Sequence, residues 1–187
     1  DTDRSRGLGD VYKRQLFLEI SHSPILAVLL GLCLGFGCFS SLAAVIITSG
    51  LVTAGVIPVS TGLWVALGAD IESTILALMT TMTASRIGRR GPVANTMWRT
   101  VTLSFTALLL ATCPFIAEGF GTIPDSVIYF HVTLNLIISG TGLFIIKPFA
   151  RIADRIIPEK KADAKTGGEA ADLFAKENLI SSGMSLN

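Results

Sequence analysis

Between Glu19 and Ser85 the chain has no Lys or Arg, and its only carboxylates are Asp70 and Glu72. Both lie in a polar interruption of apolar sequence, LGADIESTIL at 67–76. A second interruption, GFGCFSSLAA, occupies 35–44. An ionisable side chain at bilayer depth is expensive, so it usually marks a substrate or ion path. The sequence therefore reads as a membrane transporter fragment, all-α and integral to the bilayer, with its site where the two stretches meet.

Composition supports the bilayer. Half of the 187 residues are hydrophobic and 16% are charged, where a soluble domain carries about 25%. The charge is also segregated. Of 15 Lys and Arg, 4 precede residue 15 and 6 follow residue 148, while Arg86, Arg89, Arg90 and Arg99 form one cluster. No basic stripe with interleaved aromatics is present, which excludes a nucleic-acid partner. Cys33, Cys38 and Cys113 sit in apolar runs without metal-ligand spacing and read as reduced, packed residues.

Residues 1–15, DTDRSRGLGDVYKRQ, lack an apolar signal-peptide core. DVYKRQ matches the in-frame translation of a transposase adaptor end. The stretch is expected to be adaptor-derived or a disordered tail, with the natural chain extending further upstream. Residues 16–158 read as the membrane unit. Residues 159–187 are polar and Gly-rich and read as a cytoplasmic linker.

Pro24–Gly37 is apolar but only about 21 Å long as a helix, too short for a hydrocarbon core of roughly 30 Å. With Ser41–Ile57 it reads as a re-entrant helical hairpin, its tip at Gly35, Gly37 and the serine pair; two separate short spans are the alternative. Thr61–Ser85 can span. Gly68 and the polar residues after it predict an interrupted helix, and an intact helix with a polar face turned into a bundle is the other reading. Arg86–Arg99 reads as a basic loop with a short helix after Pro92. Thr100–Ala117 and Ser126–Phe149 read as continuous spans, the first kinked near Cys113-Pro114. The basic groups at 86–99 and from Arg151 onward are two crossings apart and face the cytoplasm by the positive-inside rule. That rule puts Glu118–Asp125 outside. Trp98 is expected in the cytoplasmic interfacial belt.

The motifs from Phe39 to Pro158 resemble the sodium/phosphate cotransporter family. Phe39-Ser40-Ser41-Leu42-Ala43 stands where members carry QSSSA, and Leu67 to Thr74 where they carry LGANIGTT. Arg89 to Asn95 matches an RRxAxAH-like stretch, and Phe130-His131-Val132-Thr133-Leu134-Asn135 an FHTLFN-like motif. Lys147-Pro148-Phe149 through Arg155 and Pro158 matches a closing PFxxxxxRxxP-like pattern. The resemblance implies a bacterial-type fragment holding the second of two inverted repeats, in a multi-pass protein of the cytoplasmic membrane with a cytoplasmic C-terminal tail. The missing first repeat of the same chain would complete the site, and a truncated PhoU-like domain would follow the linker. It implies sodium-coupled symport of inorganic phosphate or a related anion, no enzyme activity, and no cofactor beyond the sodium ion. Here the family's Gln is Phe39, its third Ser is Leu42, its Asn is Asp70 and its Gly is Glu72. Those departures favour cations over a phosphate dianion.

Each candidate residue has two readings. Ser40 and Ser41, as caps of the second hairpin arm, would offer hydroxyls and free N–H groups to an anion; close helix packing is the other reading. Asp70 is the candidate sodium site, since hard cations take carboxylate and carbonyl oxygens; an N-cap is the plainer role. Glu72 is the second cation-coupling candidate and cannot share Asp70's helix face. Ser73 and Thr74 could add oxygens or bond back to their own helix. His131 and Asn135, four residues apart on one face, and Asn95 are possible supporting residues. Arg99 is read as a snorkelling interfacial residue rather than a partner for a carboxylate. Two other classes stand beside transport: a membrane anchor for a regulatory cytoplasmic domain, and an intramembrane hydrolase using Ser40 with His131.

Overall fold

The computed structural model describes residues 19–157 together with residues 15, 173, 174 and 177. The expected adaptor-derived stretch at 1–15 and the linker and further domain at 159–187 lie outside the described residues, apart from those four positions. Among the described residues the fold is helical without strands. Its main helices are α1 (Pro24–Cys38), α2 (Ser41–Thr53), α3 (Val59–Thr80), α4 (Arg86–Thr112), α5 (Pro114–Gly121) and α6 (Ser126–Ile156).

Helix α1 begins where Ser23 Oγ accepts from the Leu26 N–H and Pro24 occupies the first turn, a placement that costs the helix no hydrogen bond. With 15 and 13 residues, α1 and α2 are roughly 22 and 20 Å long. Phe39 and Ser40 join them into a hairpin. The sequence points to Gly35 and Gly37 as its tip, but both stay helical. Phe39 takes the left-handed conformation instead, at φ 50°, and the Ser40 N–H closes the turn on the Gly35 carbonyl at 3.3 Å.

The expected interruption of α3 at GADIEST is absent: one helix runs unbroken through Gly68. Gly68 serves close packing rather than a break. A Cβ there would lie 2.1 Å from the Val28 carbonyl oxygen of α1, and one at Gly31 would lie 1.9 Å from that of Val65. Gly31 sits between Val65 and Ala69, and Gly35 one turn on meets Glu72; α1 and α3 therefore run parallel, backbone against backbone, as small residues permit in membranes. Helix α2 returns antiparallel, with Thr48 and Val52 against Gly62.

The expected basic loop is also helical. Ser85 caps α4 by accepting from the Gly88 N–H, and the helix continues through Pro92 to Thr112. Ala94 is buried against Ala153 and Ile157 near the end of α6, and this contact holds the segment in place. Pro114 lacks an N–H and disfavours helical geometry in the residue before it. The chain accordingly turns by 88° between α4 and α5. Helix α6 passes the expected end at Phe149 and runs on to Ile156.

By length and apolarity, α3 and α6 can each cross a membrane, and α4 with α5 qualifies only as a bent pair. Arg90 pairs with Asp154 at 3.1 Å, so the two basic groups share one end of the bundle, as their charge pattern suggests. At the other end Ser49 Oγ donates to Asp125 Oδ1 at 3.4 Å. Trp98 is half-buried and turns toward α6. Its Nε1 donates to the Ile138 carbonyl at 3.0 Å, and its ring packs on Phe149 at 5.8 Å. The core between the ends is formed by Leu63, Leu67, Leu103, Val127, Phe130 and Leu134.

Candidate functional site

Midway along the bundle, one polar centre interrupts this core where α3, α4 and α6 meet. Asp70 is fully buried and Arg99 is 15% exposed at its side chain. Arg99 Nη2 lies 3.3 Å from Asp70 Oδ1. The guanidinium also donates from Nε to Thr74 Oγ1 at 2.9 Å, from Nη1 to Asn135 Oδ1 at 3.2 Å and from Nη2 to Ser73 Oγ at 3.2 Å. Arg99 is therefore a member of the centre and not a snorkelling residue. In sequence Arg99 follows Arg86, Arg89 and Arg90 and looks like the last of that group; only its distance of nine residues from Arg90 sets it apart.

The remaining contacts hold Arg99 and Asp70 in place. Asn135 Nδ2 donates to Asp70 Oδ1 at 3.0 Å and to the His131 carbonyl at 3.0 Å. With Nδ2 facing a carboxylate and Oδ1 facing a guanidinium, the amide orientation is fixed from both sides. Ser73 Oγ and Thr74 Oγ1 both donate to the Asp70 carbonyl at 2.9 Å. They thus bond back to their own helix and accept from Arg99 at the same time. His131 Nδ1 stands 3.3 Å from Asp70 Oδ2. That pair is close in distance but not aligned as a hydrogen bond, and Oδ2 has no hydrogen-bond partner.

Glu72 is separate. Its side chain is buried against Gly35 of α1, on a different face from Asp70, as a two-residue offset on a helix requires. Its Oε1 has no hydrogen-bond partner, and no salt bridge to it is found among the described residues. Among those residues, no group of three or more His, Cys, Asp and Glu could hold a metal ion. A groove of about 470 Å³ touches the centre at Thr74, but Trp64, Leu67, Ile71, Leu103 and Ala107 make its walls apolar.

Ser40 and Ser41 lie outside the centre, at the hairpin tip. Ser40 Oγ accepts from the Ala43 N–H at 3.2 Å and caps α2. No hydrogen bond among the described residues joins either serine to Arg99 or Asp70. Asn95 is exposed on α4, one turn before Arg99. A cap removed by Ser→Ala costs about 1 kcal/mol. Ser40→Ala should therefore lower the melting temperature modestly, whereas Ser41→Ala should leave it unchanged. Thermal unfolding of the purified full-length protein in detergent checks this. An equal loss for both would remove the capping role.

The model of the Na+/Pi-cotransporter family matches residues 5–140. Among curated proteins, the chain is 29% identical over 149 residues to the "Putative inorganic phosphate export protein YjbB" of Escherichia coli strain K12 and to that of Shigella flexneri. It is 28% identical over 152 residues to the protein of the same name in Salmonella typhimurium. Each match covers 78% of this chain and 27% of the relative, so the chain spans about a quarter of the length of the curated relatives it matches. No solved structure matches it.

Proposed function

The chain belongs to the Na+/Pi-cotransporter family, and on that premise we propose that it forms part of a sodium-coupled transporter of inorganic phosphate or a related anion. The observation that carries this reading is the buried Asp70–Arg99–Asn135 centre, midway through the bundle. Such centres mark ion and substrate paths. The relatives' name adds phosphate as cargo.

In this reading the chain is one of two inverted repeats, and the α1–α2 hairpin is re-entrant. Both arms fall short of the roughly 30 Å core and lean on α3, which supports that assignment. The Ser40–Ser41 tip presents N–H groups at the start of α2, where the helix dipole favours an anion. Ser73 and Thr74 position Arg99, with His131 and Asn135 behind Asp70. Asn95 would act from the second repeat's outer surface. The coupling sodium is assigned to Asp70, with Glu72 as a second carboxylate for cations. The basic end of the bundle faces the cytoplasm of an inner-membrane protein.

The test is flux. The full-length protein, reconstituted in liposomes, should move radiolabelled phosphate, and an inward sodium gradient should accelerate uptake at least several-fold. Outward flux indifferent to sodium would replace symport with export, the activity in the relatives' name. No phosphate flux in either direction would leave a membrane anchor.

A further inference from the structure

We propose that the groove between α1 and α4 seats an anionic phospholipid, its acyl chain along α3 and its phosphate at Arg89. The inference uses the orientation proposed above, which turns the basic end to the cytoplasmic leaflet, and is independent of the cargo.

The groove has the length of an acyl chain. Its walls are Val28 of α1, Trp64, Ile71 and Leu78 of α3, and Thr96 and Leu103 of α4. From Thr96 to Ala107 it follows α4 for about 16 Å at a rise of about 1.5 Å per residue. One leaflet of a roughly 30 Å core is about 15 Å deep. At the far end Trp64 and Ala107 also line a more open groove that continues to Pro24 and Ala111, so a longer chain is not blocked. Met79 and Met82 line the near end, beside the start of α4, and methionine adapts to flexible apolar partners.

Two orphaned polar atoms mark that near end. Arg89 Nε and Thr96 Oγ1 are buried and have no hydrogen-bond partner. The two residues stand seven positions apart on α4, about two turns, and so share one face of the helix. Thr96 lines the groove, and Arg89 lies about 10 Å nearer the basic end. A phosphate accepts from a guanidinium, and a glycerol ester carbonyl accepts from a hydroxyl. Apolar wall, hydroxyl and guanidinium thus follow one another along α4 in the order of chain, ester and phosphate in a phospholipid. A free anion matches Arg89 and has no use for the apolar walls.

Charge then selects among lipids. Acyl chains are as apolar as leucine, so the tail alone gives no preference. The basic end carries Arg86, Arg89, Arg90, Arg151 and Arg155 against Asp154, and basic pockets between helices on the cytoplasmic side favour anionic headgroups. Arg90 is the neighbour of Arg89 but turns to α6, where it pairs with Asp154 at 3.1 Å.

The experiment counts lipids retained by the full-length protein in mild detergent, by native mass spectrometry. The probes are phosphatidylglycerol and phosphatidylcholine with identical acyl chains, supplied in equal amounts. The parent should keep phosphatidylglycerol at least fivefold over phosphatidylcholine. Arg89→Ala should bring that ratio within twofold of unity at the parent's melting temperature. Arg90→Ala should leave the ratio within twofold of the parent's. Ser104→Phe fills the groove from an exposed position and should cut retention of both lipids at least fivefold; where it unfolds the protein, the two arginine variants decide. A hundredfold excess of inorganic phosphate should leave the lipid bound. Equal retention of the two lipids by the parent would overturn the seat. Retention of neither would overturn it too, and would mean that another segment of the full-length protein covers the groove. Equal losses in Arg89→Ala and Arg90→Ala would reduce the effect to general attraction by the basic end, and displacement by inorganic phosphate would make Arg89 a free-anion site; either result sinks the proposal. Retention is read without flux, so a protein that moves no phosphate ends the transport reading and leaves this one standing.

Discussion

Asp70→Asn is expected to destabilise the full-length protein by about 3–5 kcal/mol, the usual cost of breaking a buried ion pair from one side. Glu72→Gln is expected to leave stability unchanged or raise it. The two carboxylates stand two residues apart on α3 and are equally buried. Among the described residues, only Asp70 of the two has a guanidinium within ion-pair distance. Removing its charge strands Arg99, with one neutral amide and two hydroxyls as compensation. Glu72 faces Gly35 and has an oxygen without a partner. A neutral side chain of the same shape removes a desolvated group that nothing offsets. Thermal unfolding of both variants in one detergent gives the two signs directly. Equal losses would mean that Glu72 has a charged partner of its own, and an unchanged Asp70→Asn would mean that the Arg99 pair is dispensable.

The helices and their order are legible in the sequence because bilayer hydropathy is a long-range pattern that single residues do not disturb. The bend at Cys113-Pro114 is legible as well, because proline acts through its own backbone. Gly68 misleads because glycine has two uses that look alike in sequence. It weakens a lone helix by about 1 kcal/mol relative to alanine, yet in a packed bundle it is where a second backbone enters. Only the position of α1 decides between these uses. Arg86–Arg99 misleads for a related reason. Four arginines, Gly91 and Pro92 suggest a loop, but the cap at Ser85 and the seat of Ala94 against α6 hold them helical.

The centre itself was half legible. Asp70, Ser73 and Thr74 stand out as polar residues in apolar sequence, and His131 and Asn135 as a pair four apart. Arg99 does not stand out, because it follows other arginines and looks like the last of an interfacial group. Its partners lie 25 to 36 residues away, and a separation of that kind is invisible without the fold. The serines at the hairpin tip were legible as a cap and nothing more was fixed by sequence, since their distance from Arg99 depends on how α1 seats on α3.

That seat yields the second large expected effect. Gly68→Ala places a Cβ 2.1 Å from the Val28 carbonyl oxygen, and Gly31→Ala places one 1.9 Å from that of Val65. Neither clash is with a side chain that could rotate away. Both obstacles are helix backbone, so relief requires α1 and α3 to separate along their shared length. Overpacking a core commonly costs about 1–3 kcal/mol when side chains can adjust; here the loss should reach or exceed that upper end. Gly50→Ala is the internal control. Nothing lies within 4 Å of the Cβ it adds, and alanine is the better helix former by about 1 kcal/mol. The three substitutions add the same methyl group to three helices, so composition cannot account for a difference. Gly31→Ala and Gly68→Ala should cut membrane abundance and melting temperature sharply and abolish phosphate flux, whereas Gly50→Ala should match or exceed the parent in stability. If Gly68→Ala melts with the parent, α1 does not lie on α3 at this distance, and the burial of Glu72 beneath Gly35 falls with it.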